Sequence, residues 1–524
     1  MGGRRQHSPV IRKGIMRHGR RIEPMNDRPA RFRWKLGVLL ALVVFAGNPR
    51  ASEPSLWDQD PMSDSVQPEN DAALARLQAT VEELRTEVER LKRTGDRTEG
   101  LPVRCGCGKL HCECDQPAYQ LQSESDDLPW MTHTAVYDDA WILRPIDPKQ
   151  TPFELAVSLH NQFRHTAFQS EQPTAVNAAG QVVRTPDRND FDINRGRLVF
   201  SGFALDPRLE FYVNLDFNTV SDQQIQMLMS WIRFRLDPSI NLSYGLSKVP
   251  GTWEWLESSR YTLGADRSLA TTFFRPSMTA GVWADGILPS RMRYRFLIGD
   301  GFNTFSLKAS EVDTNLVYSG MAWWESQEEF GRGFADFEWS DDFRWRAGHA
   351  LTHSRQDADP AGQPGPEQTV IRLSDGTRLV EPGALAPGVT VNRFDLTLYA
   401  LHAGWKWRGL SGTGEYFFRW LTDIEGNGAI PRETIFDQGA FAQVGQFLVP
   451  QSLELFGRYS TVRGPFGDAS EWAAGVNWYV HDRRNWRATF DVAWIDDSAT
   501  QQDRTGYLAG ASGALFRTQV WTFF

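Results

Sequence analysis

The sequence predicts an all-β chain: a sixteen-stranded antiparallel transmembrane β-barrel behind an N-terminal coiled-coil helix. Three observations lead there. Alternating runs with one apolar face recur from about residue 152 to the end. The connections between them alternate short and long. The last stretch, Gly513 to Phe524, alternates, carries no proline and stops on an aromatic. Phe516, Val520 and Phe524 fall on one of its faces, and Arg517, Gln519 and Trp521 on the other, because successive strand side chains point to opposite sides. Soluble chain ends usually fray. A closed barrel instead needs its last strand to pair back onto its first.

Composition agrees. The chain holds 20 Trp, 32 Phe and 12 Tyr, yet its mean hydropathy is −0.43. No stretch after residue 50 is apolar for long enough to span a membrane as a helix. Many aromatics with low hydropathy fit a barrel whose strands turn only one face to lipid. A net charge of −9 gives no reason to expect a nucleic-acid partner.

In chain order, residues 1–51 read as a signal peptide with an extended basic region. Arg31, Arg33 and Lys35 precede the ten-residue apolar run Leu36 to Phe45, and Ala46, Gly47 and Ala51 supply small residues for cleavage. A linker, 52–69, follows. In residues 70–93, Leu74, Leu77, Val81, Leu84, Val88 and Leu91 are spaced 3, 4, 3, 4, 3. These are a and d positions of three heptads, which predicts a short parallel coiled coil and hence an oligomer. The segment 94–151 reads as a Cys-bearing linker. Its Cys105, Cys107, Cys112 and Cys114 lie beside His111, a donor set that suits zinc as thiolates. Export to an oxidising compartment favours two disulfides instead. With every cysteine in one patch, disulfides do not hold the main fold.

The barrel is assigned to 152–524. Its clearest strand sets Leu209, Phe211, Val213, Leu215 and Phe217 against Glu210, Tyr212, Asn214, Asp216 and Asn218. Arginines recur on the polar faces elsewhere: Arg195 and Arg197; Arg233 and Arg235; Arg291, Arg293 and Arg295; Arg344 and Arg346; and Arg393. Short turns are expected at Leu205-Asp-Pro, Asp237-Pro-Ser, Leu288-Pro-Ser, Arg408-Gly, Pro450-Gln-Ser and His481-Asp-Arg. A medium connection, Ser326 to Asp342, falls on the same side. Long loops are expected near 169–190, 250–276, 300–313, 354–389, 422–437 and 464–470, with a shorter one near 219–223. Pairing through these turns gives sixteen strands with both barrel ends at the short-turn rim. Turns at one rim and long loops at the other is the outer-membrane pattern.

Several motifs resemble the phosphate-selective porins O and P, over about Phe191 to Phe524. They are Phe191-Asp-Ile-Asn-Arg-Gly-Arg-Leu-Val-Phe-Ser-Gly202 with the Asp-Pro turn after it, Leu246-Ser-Lys-Val-Pro250 and Gly299-Asp-Gly-Phe-Asn303. Phe441-Ala-Gln-Val-Gly-Gln-Phe-Leu-Val-Pro450 and Leu453-Glu-Leu-Phe-Gly-Arg-Tyr459 complete the set. The resemblance implies a water-filled, usually trimeric outer-membrane porin, with arginines laddered down the lumen and lysine at the constriction. Lys248 matches the family's lysine in the Gly-x-x-Lys-x-Pro stretch. No lysine cluster lines up beyond it, so phosphate selectivity stays open. The terminal Phe524 is similar to the signature that barrel-assembly machinery reads.

A pore needs fixed charge in a narrow wet passage, not catalytic groups. Arg291, Arg293 and Arg295, about 7 Å apart along one strand face, make the best candidate track for anions, which guanidinium binds bidentately. The opposing expectation is that carboxylates such as Glu210 and Asp216 neutralise the arginines. The Val249 to Pro276 loop, with Arg260, Arg267 and Arg275, follows the fifth strand and is the candidate constriction. No nucleophile elbow or P-loop is seen, so neither an enzyme nor a cofactor is expected. The expected partners are outer-membrane lipid, further copies of the chain and small anions or other hydrophilic solutes. The other reading is a structural envelope tether with a barrel anchor and little conductance.

Overall fold

The computed structural model describes residues 132–220, 225–302, 314–357 and 371–524. The signal peptide, the first linker, the coiled coil and the four cysteines lie outside them.

Among the described residues, eighteen strands form one sheet. The first two, β1 (His133–Tyr137) and β2 (Trp141–Pro145), make a hairpin. This part of the expected linker is therefore strand. The remaining sixteen close a ring. It begins β3 (Phe153–Ser170), and after the small loop hairpin β4 (Thr174–Val176) and β5 (Val182–Arg184) continues through β6 (Arg188–Ala204), β7 (Asp206–Phe217) and β8 (Ile225–Asp237). Next come β9 (Ile240–Lys248), β10 (Met278–Ile287), β11 (Arg293–Gly299), β12 (Val317–Glu325) and β13 (Arg344–Asp357). The ring ends with β14 (Val391–Trp407), β15 (Leu410–Gly426), β16 (Ile435–Val449), β17 (Leu453–Gly464), β18 (Gly467–Tyr479), β19 (Trp486–Asp496) and β20 (Gly513–Phe523). Neighbours in the ring pair antiparallel.

Closure is made by the stretch that the sequence singled out. β20 pairs with β3 from Gly513↔Ser170 to Phe523↔His160. Phe524 and Leu159 then exchange backbone bonds of 3.0 and 2.7 Å. No edge strand is left between them, which a sheet in lipid requires because an unpaired backbone there finds no water. β2 pairs with β3 just beyond that point, Trp141↔Val157 to Leu143↔Leu155.

The short turns fall where expected. Several use the left-handed region, with φ 69° at Leu205, 49° at Arg408, 80° at Gly409 and 57° at Gln451. Two connections differ. The stretch 464–470, expected as a long loop, is a tight turn between Gly464 and Gly467. A long loop that the turn signals did not mark spans 497–512.

The outer face is apolar, with Phe163, Tyr244, Val282, Trp472 and Trp494 all exposed. Aromatics cluster toward each rim. Phe343 stacks on Trp405 near the short turns, while Trp420 meets Phe436 near the long loops. That placement suits interfacial girdles.

Candidate functional site

The lumen is not uniformly wet. Four segments fold into it: the loop 249–277, the loops 371–390 and 497–512 from the long-loop rim, and the connection 326–342 from the other rim. Along β14–β19 they pack as an apolar core. Phe273 and Phe274 of the first loop join Phe334 and Phe337, Leu373 and Leu379, and Tyr507. The wall contributes Phe394, Leu396, Leu398 and Phe417 on its inward face.

The loop 249–277 crosses from β9 to the opposite wall. It holds two short helices, α1 (Trp253–Leu256) and α2 (Leu269–Phe274). A chain segment inside a lumen must find partners for its backbone groups, and the wall supplies them. The Glu415 carboxylate accepts from the N–H groups of Trp253 and Glu254 (2.8 Å for Glu254). At α2, the N–H of Leu269 donates to Glu471 and that of Ala270 to Ser460, both at 2.9 Å. Both helix starts thus meet acceptors where their N–H groups are orphaned. Farther along, Ala265 N–H donates to Asp491 (2.8 Å), while Arg487 and Asn477 donate to the carbonyls of Thr262 (2.7 Å) and Leu263 (2.8 Å). The tip is so close that a Cβ on Gly264 would lie 3.2 Å from both Arg458 and Asp491.

Buried ion pairs stiffen this wall. Arg517 meets Asp491 bidentately at 2.8 and 2.9 Å. Arg458 pairs with Glu471 at 2.6 Å, and Arg419 with Asp437 at 2.7 Å. In the loop, Asp266 takes Arg164 at 3.0 Å and Arg195 at 2.8 Å. Burial alone would raise the Asp266 carboxyl, but Arg195 and Arg164 outweigh it and hold it well below the usual carboxylate range.

The other half of the lumen, between the loop and the β6–β10 wall, stays open as a cavity of about 720 Å³. Among the described residues its lining contains eight arginines and Lys248 and not a single carboxylate residue. Strand and loop cations differ there. The strand arginines are mostly paired: Arg195 with Asp266, Arg197 with Asp216 at 3.1 Å, and Arg233 with Asp285. Asp216 also takes Arg504 of the loop 497–512. Asp216 thus faces Arg197 and Arg504, while Asp266 and Asp285 face Arg195 and Arg233. By contrast, among the described residues no carboxylate oxygen lies within 4 Å of the side-chain nitrogens of Arg260, Arg267, Arg275 or Arg295, nor of Lys248, although the Arg267 backbone N–H donates to Asp266 at 3.0 Å.

Weaker partners hold these five. Arg260 lies over Phe523 and reaches His160 at 3.3 Å. Arg275 faces Gln502, whose carbonyl, with the amide turned toward it, accepts from Nη1 at 3.0 Å. Arg295 donates to Ser247 at 2.7 Å and lies over Trp283. Lys248, Arg267 and Arg275 surround one ring, Trp255, at 5.1, 4.9 and 4.8 Å. Burial, and then the Arg267 charge, push the Arg275 guanidinium downward.

Lys248 has a further task. Its Nζ donates to the carbonyls of Trp255 (2.8 Å), Leu256 (3.2 Å) and Glu257 (2.9 Å). All three of its donors are occupied at the carbonyl end of α1. Arg267 grips the same end through Glu254 (3.1 Å) and Glu257 (2.9 Å).

The remaining sequence candidates scatter. Arg291 is not in a strand; it sits in a turn at φ 64° and donates to the carbonyls of Ser326 and Gln327. The three-arginine track on β11 therefore loses its first member. Arg293 is at the short-turn mouth with Glu325 and Glu329, and Arg235 is there with Glu210. Arg344 and Arg346 point inward, but Arg346 is stacked between Trp253 and Trp323. Arg393 is turned the wrong way: it lies outside the lumen, paired with Asp357 and Glu425. There Phe394 faces inward because the 371–390 segment fills the lumen behind it. The connection 326–342 was missed as a lumen element. Phe330 and Phe334 in it touch Trp253, and the three phenylalanines at 330, 334 and 337 of a rim turn were the available signal.

A closed sixteen-stranded barrel with an infolded loop and a charged cavity is a porin architecture, and it points to a channel rather than an enzyme. Residues 176–298 match the family described as phosphate-selective porin O and P, which agrees with the sequence resemblance. The match runs from β6 into β11 and includes the infolded loop 249–277. No curated protein sequence matches the chain. Among solved structures the barrel is similar to OmpT of Vibrio cholerae (12% identity, TM-score 0.43, covering 71% of this chain and 99% of that one). It is also similar to an anion-selective porin from Comamonas acidovorans (10%, 0.43, 71% and 100%). A third is Salmonella typhi OmpF in complex with daunomycin (11%, 0.39, 75% and 100%).

Proposed function

We propose that this outer-membrane porin passes small hydrophilic anions by passive diffusion through the open half of its lumen. The observation that carries the reading is the cavity's lining, rich in cations and, among the described residues, free of carboxylates. Low-dielectric walls focus such a field and raise the local anion concentration. Phosphate belongs to the anions in question because several guanidinium groups converge, and these bind phosphate with directed hydrogen bonds. The discriminating experiment is single-channel recording in planar bilayers. Stepwise ohmic openings, with anions setting the reversal potential in a KCl gradient, are expected. A silent bilayer would leave the tether reading.

The finer parts of the proposal rest on the sequence. Residues 1–51 direct export, Phe524 is read by barrel-assembly machinery, and the segment 52–151 begins in the periplasm. The heptads of 70–93 join copies of the chain, and the family resemblance favours three. A single-chain mass in detergent by light scattering would remove the trimer. Labelling of Cys105, Cys107, Cys112 and Cys114 by a thiol reagent before and after reduction distinguishes disulfides from free or metal-bound thiolates.

A further inference from the structure

We infer that the cavity selects organic anions that carry a flat apolar ring, aromatic carboxylates above all, over compact inorganic ones. The inference rests on the anion-pore reading and names the substrate class within it. An inorganic oxyanion needs polar donors around its whole surface. This cavity spaces them unevenly, with aromatic rings taking up part of the wall. Toward the loop stand Arg260 and Arg275, without carboxylate partners among the described residues. The β7–β10 wall is different. Tyr212 and Trp231 lie stacked there, 5.2 Å apart and 10° from parallel, and Trp283 meets Trp231 edge-on at 6.4 Å.

This shelf is half-buried at Tyr212 and Trp231, so part of both rings faces the cavity. Below it an isolated apolar cluster of Leu228, Trp255 and Met278, with Met229 against it, stands apart from the main core. All four line the same cavity. The shelf also carries cations, with Arg233 over the Trp231 ring at 5.5 Å and Arg295 over that of Trp283 at 5.1 Å, which leaves Tyr212 the more open ring of the stacked pair. A ring seated on the shelf gains offset stacking and loses apolar surface to water. Its carboxylate then points across the cavity to guanidinium groups that form paired hydrogen bonds. The volume, about 720 Å³, is in the range of small-molecule sites.

The test is block of single-channel chloride current by benzoate, acetate and inorganic phosphate, added to the full-length protein in planar bilayers. Benzoate is expected to reach half-block at about one-tenth the concentration of acetate, roughly what stacking one ring contributes. Trp231→Ala should shrink that benzoate-to-acetate ratio at least about threefold, while Trp231→Phe, which keeps a ring, should preserve it. Equal block by benzoate and acetate in the wild type overturns the inference and leaves the anion pore standing. A ratio unchanged in Trp231→Ala overturns it as well. A bilayer without channels instead removes the pore reading beneath it.

Discussion

The two halves of the lumen are built from the same residue types and use them in opposite ways. Along β14–β20, three arginines are matched with carboxylates and dry: Arg458 with Glu471, Arg517 with Asp491, and Arg419 with Asp437. What carboxylate capacity remains goes to loop N–H groups, as at Glu415. Along β6–β10 the cations outnumber their partners. Fastening the loop to one wall with acids leaves its basic residues facing the other without them. The packed half fixes where the infolded loop stands, and on the proposed reading the open half sets what crosses the barrel.

This contrast can be broken from the packed side with the largest effect. Arg458→Ala strands the Glu471 charge, and losing one partner of a buried pair costs about 3–5 kcal/mol. The barrel keeps its closure, but the loop loosens. Single-channel conductance should rise, and trypsin should cut after Arg260 or Arg267; unaltered conductance would mean that the loop is not held from this wall. Next comes the open side. Arg260→Glu with Arg275→Glu should lower the anion-to-cation permeability ratio by about tenfold or more, within the range that focused fields produce.

Lys248→Met is expected to do less, and differently. It leaves the Leu256 carbonyl without its donor and those of Trp255 and Glu257 with Arg267 alone, and a buried unpaired group costs about 1–3 kcal/mol. The result should be noisier open-channel current, with anion preference reduced less than in the double charge reversal. Preference falling as far as in that double variant would make Lys248 an anion ligand instead. Arg291→Glu and Arg393→Glu, both outside the open half, should leave the reversal potential where it is; a shift for either would return that arginine to the permeation path. The smallest effect concerns acid. Asp266 has a depressed folded value, so its stabilisation is present above the ordinary carboxylate pKa of about 3.9 and is lost only as pH falls through the lower folded value. Conductance should hold steady from pH 7 to pH 4, and closure near pH 5 would contradict this fixture.

Much of the barrel was legible because strand alternation and turn chemistry are local. Phe516, Val520 and Phe524 announced an outward face, and the structure keeps them on it. Sixteen strands followed from the turns. What alternation cannot say is which face looks inward. On most strands polarity decides, since lipid takes the apolar side. On β14 it misleads, because Phe394 and Leu396 face another piece of protein and Arg393 faces out. Lumen filling is a long-range property: the phenylalanines of 326–342 mark an apolar rim turn, but not that Phe330 and Phe334 will reach Trp253. The candidate site was half readable. The loop and its arginines stood out by place and composition. That Lys248 is occupied by α1 carbonyls depends on how the loop bends back, which its five-residue motif does not encode.

The central claim is that uncompensated loop cations on the open side set the charge preference. Its most direct test is the zero-current potential across a tenfold KCl gradient, for the wild-type protein and for the Arg260→Glu, Arg275→Glu double variant. The account predicts a potential of the sign that chloride flow gives in the wild type, collapsing or inverting in the variant. A cation-type potential in the wild type, or the same potential in both proteins, would contradict it.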